Sequence, residues 1–266
     1  MVVNFIEGIG RRANVFLLYA KSVSNLFLQI LYWCMIAPFK GRFLNRKNTF
    51  EQMVLIGVRS LSIIFFIALF LGIVLAMQSA YQLMRLGATM YVAGLVAVSV
   101  TREIGPVLTA LVVAGRSGSA IAAELGTMKV TEQIEALGSM ALNPVRYLVV
   151  PRFLALLLML PCLTIFSDLV SMFGGWLISV TSLKLGSALY IDMTIRFLTL
   201  KDIMTGIIKS GFFAVIIAVL SSQQGLTAKA GAEGVGKAAT TAVVSSFIMI
   251  IVADCILTWV FYLSKM

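Results

Sequence analysis

Long runs with few or no charges dominate the chain, covering residues 60–84, 86–115, 153–183, 203–228 and 238–264. Four of them are interrupted by ionisable residues: Arg102 and Glu103 in the second run, Asp168 in the third, Lys209 in the fourth and Asp254 in the fifth. At about 1.5 Å of rise per residue, each run is long enough to cross the roughly 30 Å of hydrocarbon in a bilayer. The pattern predicts an all-α membrane protein with five spans. The third run, 31 residues from 153 to 183, is too long to stand upright and contains Pro161 and the pair Gly174 and Gly175, so it should tilt, kink or project. The polar segment 184–201 has room for a short helix.

Residues 15–37 are apolar enough for a sixth span, but Lys21, Ser22, Ser24, Asn25 and Gln29 occupy their middle. Both flanks are basic, with Arg11 and Arg12 before and Lys40, Arg42, Arg46 and Lys47 after. A helix reclining in the membrane interface fits this better than a span, because both ends then lie on the basic side. The expected division is an interfacial amino-terminal helix with its basic linker over 1–50, then a transmembrane domain over 51–266. Small residues four apart, Gly72 with Ala76 and Ala114 with Gly118, predict close helix–helix approach.

Composition supports this reading: 60% of the 266 residues are hydrophobic and only 12% charged, far from the balance of a soluble domain. The net charge of +10 has no basic groove with interleaved aromatics, so nucleic-acid binding is set aside. With the amino terminus inside, 13 of the 21 Lys and Arg residues fall on the cytoplasmic side, 5 outside and 3 (Arg59, Arg102, Lys209) in or at the edge of spans. That asymmetry predicts a cytoplasmic amino terminus and an outward carboxyl terminus. The opening residues lack a basic region and a small-residue cleavage site, so no cleaved signal is expected. Histidine is absent, which excludes the usual zinc sites and histidine-based catalysis. Cys34, Cys162 and Cys255 stand apart in apolar surroundings and read as small hydrophobes. No internal repeat is visible, and five spans do not halve evenly, which weakens an inverted-repeat carrier.

An ionisable group near the bilayer centre costs at least about 2.5 kcal/mol, so the buried charges need partners or water. Counted from the outer ends of their spans, Arg102, Lys209 and Asp254 all lie at similar depth. Arg102, Glu103, Lys209 and Asp254 are therefore expected around one cavity, as either a packing network or the polar floor of a substrate chamber. Glu103 follows Arg102 directly, so the two should point about 100° apart and pair with other helices. Lys209 is expected to pair with Glu103 or Asp254. Asp168 stays unassigned, and Arg59 is expected to snorkel toward headgroups.

Gly231-Ala232-Glu233-Gly234-Val235-Gly236-Lys237 has the spacing of a phosphate-binding loop, but Ala238 replaces the magnesium-binding Ser/Thr and no strand is expected before it. ATP and magnesium, if used, belong to another subunit, and no cofactor is expected in this chain. Residues 115–137 read as a loop of small residues that becomes an amphipathic helix. Met128, Ile134 and Leu137 share an apolar side, while Lys129, Glu132 and Glu135 are left to water or a partner. Such a helix suits docking on an ATPase, unless it is a plain connector. Asn143 and Pro144 should stop it.

Several motifs together resemble the MlaE family of ABC-transporter permeases, from about residue 57 onward: Arg102-Glu103-Ile104-Gly105-Pro106-Val107, the run 114–128, Thr131-Glu132-Gln133 and Pro151-Arg152-Phe153. The resemblance implies a homodimeric inner-membrane permease of a Gram-negative bacterium that handles phospholipid and catalyses no reaction itself. It implies a cytoplasmic ABC ATPase, a periplasmic ring of MCE-domain subunits and a small STAS-domain protein as partners. It places lipid in an outward-facing cavity at the dimer interface, above a constriction that Arg102, Glu103, Lys209 and Asp254 match, with Leu75, Gln78 and Leu83 as apolar wall. Glu124, Gly126, Met128, Lys129, Glu132 and Glu135 are the expected ATPase-coupling positions. A sterol or other apolar cargo and an ion-coupled carrier remain as alternatives.

Overall fold

The computed structural model describes residues 2–36 and 46–263. The basic linker with Lys40 and Arg42 lies outside them. The described residues form eleven α-helices and no strand: α1 (Val2–Leu31), α2 (Arg46–Ile56), α3 (Leu61–Met84), α4 (Val92–Ser99), α5 (Gly105–Val113), α6 (Ser119–Val130), α7 (Gln133–Ser139), α8 (Val150–Thr181), α9 (Ser187–Phe197), α10 (Leu200–Leu226) and α11 (Ala232–Leu263). Five helical stretches are long and apolar enough to cross a membrane: Lys47–Met84, Thr89–Val130, Val145–Thr181, Leu200–Leu226 and Ala232–Leu263. The protein is all-α and polytopic. The region of α1 is not among these stretches.

The second stretch corrects the sequence reading, because its helix does not end near Gly115 but continues to Val130. The small residues that looked like a loop are packing sites. Gly118 faces Ser221 and Ile217 of α10, and Gly126 faces Ala228 and Val235. Ile121, Ala122, Leu125 and Gly126 are consequently buried. The amphipathic helix read across 124–137 is likewise two pieces, because Glu132 turns left-handed at φ 60 between α6 and α7.

This second stretch is also not uniformly α-helical. Wider π-turns occupy Val100–Ile104 and Ala114–Gly118, and another, Val145–Val149, precedes α8. Two of the three sit immediately before a proline, Pro106 and Pro151, near the start of the next helix. Proline has no N–H to donate and its ring crowds the carbonyl four residues back, so the preceding turn opens. One of these openings carries Arg102 and Glu103.

The tightest seam joins α3 to α8. Gly72 lies against the backbone of Ser171, Gly174 lies against the carbonyl of Leu69, and the Ser171 hydroxyl donates to the Ala68 carbonyl at 2.9 Å. Close backbone approach is what small residues contribute where hydrophobicity cannot drive association. The main core then gathers Leu156, Leu160 and Leu163 of α8 with Phe213 and Ile217 of α10 and Ile121 and Leu125 of α6.

α1 crosses the carboxyl-terminal part of α10, where Gln223 donates to Ser22 at 3.0 Å and Gln224 to the Tyr19 hydroxyl at 2.9 Å. Beyond it, Trp33 is buried against Val150 at the start of α8. At the other end of α8, the polar connector forms α9, as its composition allowed. Trp176 donates to Ser187 at 3.0 Å, and the buried Tyr190 hydroxyl reaches the Met172 carbonyl at 3.4 Å. Burial pushes the Tyr190 phenol up to about 12, so it remains a donor at neutral pH. Thr199 and Asp202 form a reciprocal capping box that starts α10.

Candidate functional site

Three spans converge on one buried ammonium. Lys209 of α10 is fully buried, and its Nζ hydrogen-bonds Glu103 from the π-turn of the second span and the Thr258 hydroxyl of α11 at 2.8 Å. Asp254 Oδ1, also from α11, lies 2.8 Å from the same nitrogen. Three oxygens thus surround a group with three N–H donors. Thr258 also lies 3.2 Å from Glu103 Oε2, which ties the two acceptors together. The sequence reading missed Thr258, although its spacing of four from Asp254 puts both on one face of a helix.

Exposure is asymmetric. Lys209 is 0% exposed, whereas the side chains of Asp254 and Glu103 are 22% and 38% exposed. The ammonium is sealed behind while the carboxylates line an opening. With both carboxyls ionised, the cluster carries a formal charge of −1. Around it, α11 presents Ile251, Ile256 and Trp259 outward, and most of its apolar stretch is left uncovered by the rest of the chain. Such a face needs lipid or another protein surface to cover it.

Arg102 departs from the expected arrangement. Its Nε lies 3.7 Å from Asp202 Oδ1 in the capping box of α10, not at the Lys209 cluster. Asp202 precedes Lys209 by seven residues, roughly 10 Å along the helix at 1.5 Å each. The divergence of neighbouring residues on a helix separates Arg102 from Glu103, and its long side chain reaches the outer cap. With Asp202 added, five charges therefore form two layers, the Arg102–Asp202 pair above and the trio of Glu103, Lys209 and Asp254 below. Because Arg102 is 35% exposed and its contact is long, Arg102→Gln is expected to lower stability by no more than about 1 kcal/mol, measured by thermal unfolding of the purified permease.

The proposed wall residues are not drawn to the trio within one chain. Leu75 and Leu83 pack on the cluster formed by Ala76, Ala80, Val92, Val96 and Val100, and Gln78 is exposed on α3. Asp168, left unassigned by the sequence, is buried; its Oδ1 adjoins Gly105 and has no hydrogen-bond partner among the described residues. Gly105 leaves the space a side chain would fill.

The coupling candidates occupy the far end of the second stretch. Glu124 pairs with the buried Arg152 of α8 at 2.9 Å, and Lys129 pairs with Glu135 of α7 at 2.7 Å. Gly126 is buried, Met128 packs on the core and Glu132 is exposed at the left-handed break. The glycine-rich segment 231–237 forms the bend at Gly231, φ +89, and the first turns of α11, with no strand before it among the described residues. That is not the architecture of a nucleotide-binding loop.

Five apolar helices, packed through glycine seams and carrying a buried ion cluster, define a multi-pass transporter subunit. The chain belongs to the MlaE permease family, whose description, Permease MlaE, matches residues 49–260. It is 42% identical to a probable ABC transporter permease protein of Synechocystis over 95% of both chains. It is 37% identical to a probable ABC transporter permease protein of Rickettsia conorii over 98% of this chain and 99% of that protein. It is also 38% identical to the Arabidopsis thaliana chloroplastic protein TRIGALACTOSYLDIACYLGLYCEROL 1, over 84% of this chain and 63% of that one. An ABC permease works with an ATPase subunit, so the energy source lies outside this chain.

Proposed function

We propose that this permease moves glycerophospholipid between the inner membrane of a Gram-negative bacterium and a periplasmic MCE-domain ring, maintaining the lipid asymmetry of the outer membrane. Two copies close a chamber whose floor is the trio of Glu103, Lys209 and Asp254, with Arg102 above it and Leu75, Gln78 and Leu83 on its walls. The observation that carries this reading is the convergence of three spans on Lys209, with the carboxylates partly open beside an apolar, uncovered face. A charged floor under apolar walls matches an amphiphile, which has a polar head and greasy chains. The name of the Arabidopsis relative contains a diacylglycerol lipid, and a lipid cargo agrees with it.

In this reading the amino terminus is cytoplasmic and the carboxyl terminus periplasmic. Residues 1–50 form the interfacial helix and linker, and 51–266 form the permease domain. ATP and magnesium bind the partner ATPase, which docks on the segment from Glu124 to Glu135, and a STAS-domain protein completes the cytoplasmic side. The Glu124 to Arg152 ion pair joins that segment to the start of α8, so movement at the docking surface reaches a second span directly.

Lipid extracted from the purified complex and identified by mass spectrometry tests the cargo. Glycerophospholipid is expected, and it should be depleted in a Lys209→Met, Glu103→Gln, Asp254→Asn variant, which leaves no unpaired buried charge in the cluster. Recovery of sterol or another apolar lipid in its place contradicts the proposal.

A further inference from the structure

We propose that a second site, separate from the ion trio, binds the phosphate of an anionic phospholipid in the cytoplasmic leaflet. The site is a pocket between the α2–α3 junction and the start of α6, with Gln52, Arg59, Arg116, Ser117 and Glu124 as its polar lining. It rests on the orientation given under Proposed function, which puts this end of the bundle inside, but not on the cargo or the role of the trio.

Four features point to an anion. Arg59 forms no ion pair with any described carboxylate. Arg116 is held at the pocket by neutral acceptors, the Ser60 hydroxyl at 2.7 Å and the Leu55 carbonyl at 3.5 Å, and its charge is likewise unmatched. The single carboxylate in the lining, Glu124, is already engaged by Arg152 at 2.9 Å. Among the described residues, the pocket thus keeps two positive charges without counterions. Finally, the Ser117 hydroxyl in the lining is buried and has no hydrogen-bond partner among the described residues, and the neighbouring Gln52 makes no hydrogen bond to a described residue. Buried polar groups are normally satisfied, so an unpartnered hydroxyl beside two guanidiniums, with a free amide at the rim, describes a cradle for oxygens.

The surroundings favour a lipid as the source of the phosphate. Arg59 stands in the short turn Val58–Ser60 just before α3, the most apolar part of the first membrane-crossing stretch. Leu55, Val58 and Ile63 are exposed apolar residues beside it and offer acyl chains a surface. Basic pockets between spans on the cytoplasmic side are suited to anionic headgroups. A zwitterionic lipid would bring its own cation toward the arginines, so the excess positive charge selects lipids with net negative charge.

The test uses the assembled transporter, delipidated in detergent, with phosphatidylglycerol, phosphatidylethanolamine or inorganic phosphate added. Phosphatidylglycerol should raise the unfolding temperature and remain bound in native mass spectrometry, while phosphatidylethanolamine should do so weakly. Arg59→Gln and Arg116→Gln should each weaken retention about fivefold, and Arg116→Lys should restore part of it by returning the charge. Ser117→Ala should leave the lipid-free protein as stable as before, because the lost hydroxyl had no protein partner, yet reduce the shift from phosphatidylglycerol. The loss of retention caused by Arg59→Gln should be the same in a Glu103→Gln background as in the parent, which separates this site from the proposed chamber. Equal retention by the parent and both glutamine variants overturns the site. Stabilisation by inorganic phosphate as large as that by phosphatidylglycerol overturns the lipid assignment.

Discussion

Lys209→Met is expected to destabilise the permease by about 3 kcal/mol or more, because it removes the cation from a buried pair and leaves Glu103 and Asp254 facing each other. Among the described residues, the ammonium is the single positive charge contacting both carboxylates, and it is fully buried. The carboxylates are only partly buried, which limits the loss but does not replace the lost partner. Adding Glu103→Gln and Asp254→Asn to Lys209→Met should recover most of that stability, since neutral groups impose a smaller desolvation cost. Reversible unfolding of the three-site and single variants in mixed micelles measures the difference. A single variant as stable as the parent would mean that the trio contributes nothing to the fold.

Gly72→Leu should be at least as damaging, by a different route. A Cβ there would fall on the backbone of Ser171, and backbone cannot rotate aside as a side chain can. The two helices must separate, losing the Ser171 to Ala68 hydrogen bond and the contacts around it. Ordinary overpacking costs about 1–3 kcal/mol, and this seam should exceed that range. Gly138→Ala is the control, for nothing lies within 4 Å of its Cβ position in α7; it should be neutral or stabilising by up to about 1 kcal/mol. Yield of folded protein and unfolding midpoint report both.

Hydropathy made the spans legible because a bilayer demands about 20 apolar residues with every backbone group bonded internally, a requirement visible in any window. A partner for Lys209 in Glu103 or Asp254 was legible for a related reason, since buried charges need partners and depth can be counted from span ends; that both carboxylates share the one ammonium came from the structure. Two further things were not legible. Arg102 reaches Asp202 because a long side chain and a neighbouring direction carry it about two turns outward, which depth counting ignores. The extension of the second stretch to Val130 was hidden because Gly115, Gly118 and Gly126 resemble loop residues, whereas two of them, Gly118 and Gly126, face other helices closely. Small residues mean flexibility in water and close packing in lipid, so the same letters carry opposite readings.

Lipid transfer by the assembled transporter in reconstituted vesicles tests the ionic floor most directly, comparing the parent with the variant that carries Lys209→Met, Glu103→Gln and Asp254→Asn together. That variant should fold, assemble and hydrolyse ATP, yet move lipid at a small fraction of the parental rate. Transfer at the parental rate, with equal amounts of complex in the membrane, would show that the cluster serves packing alone.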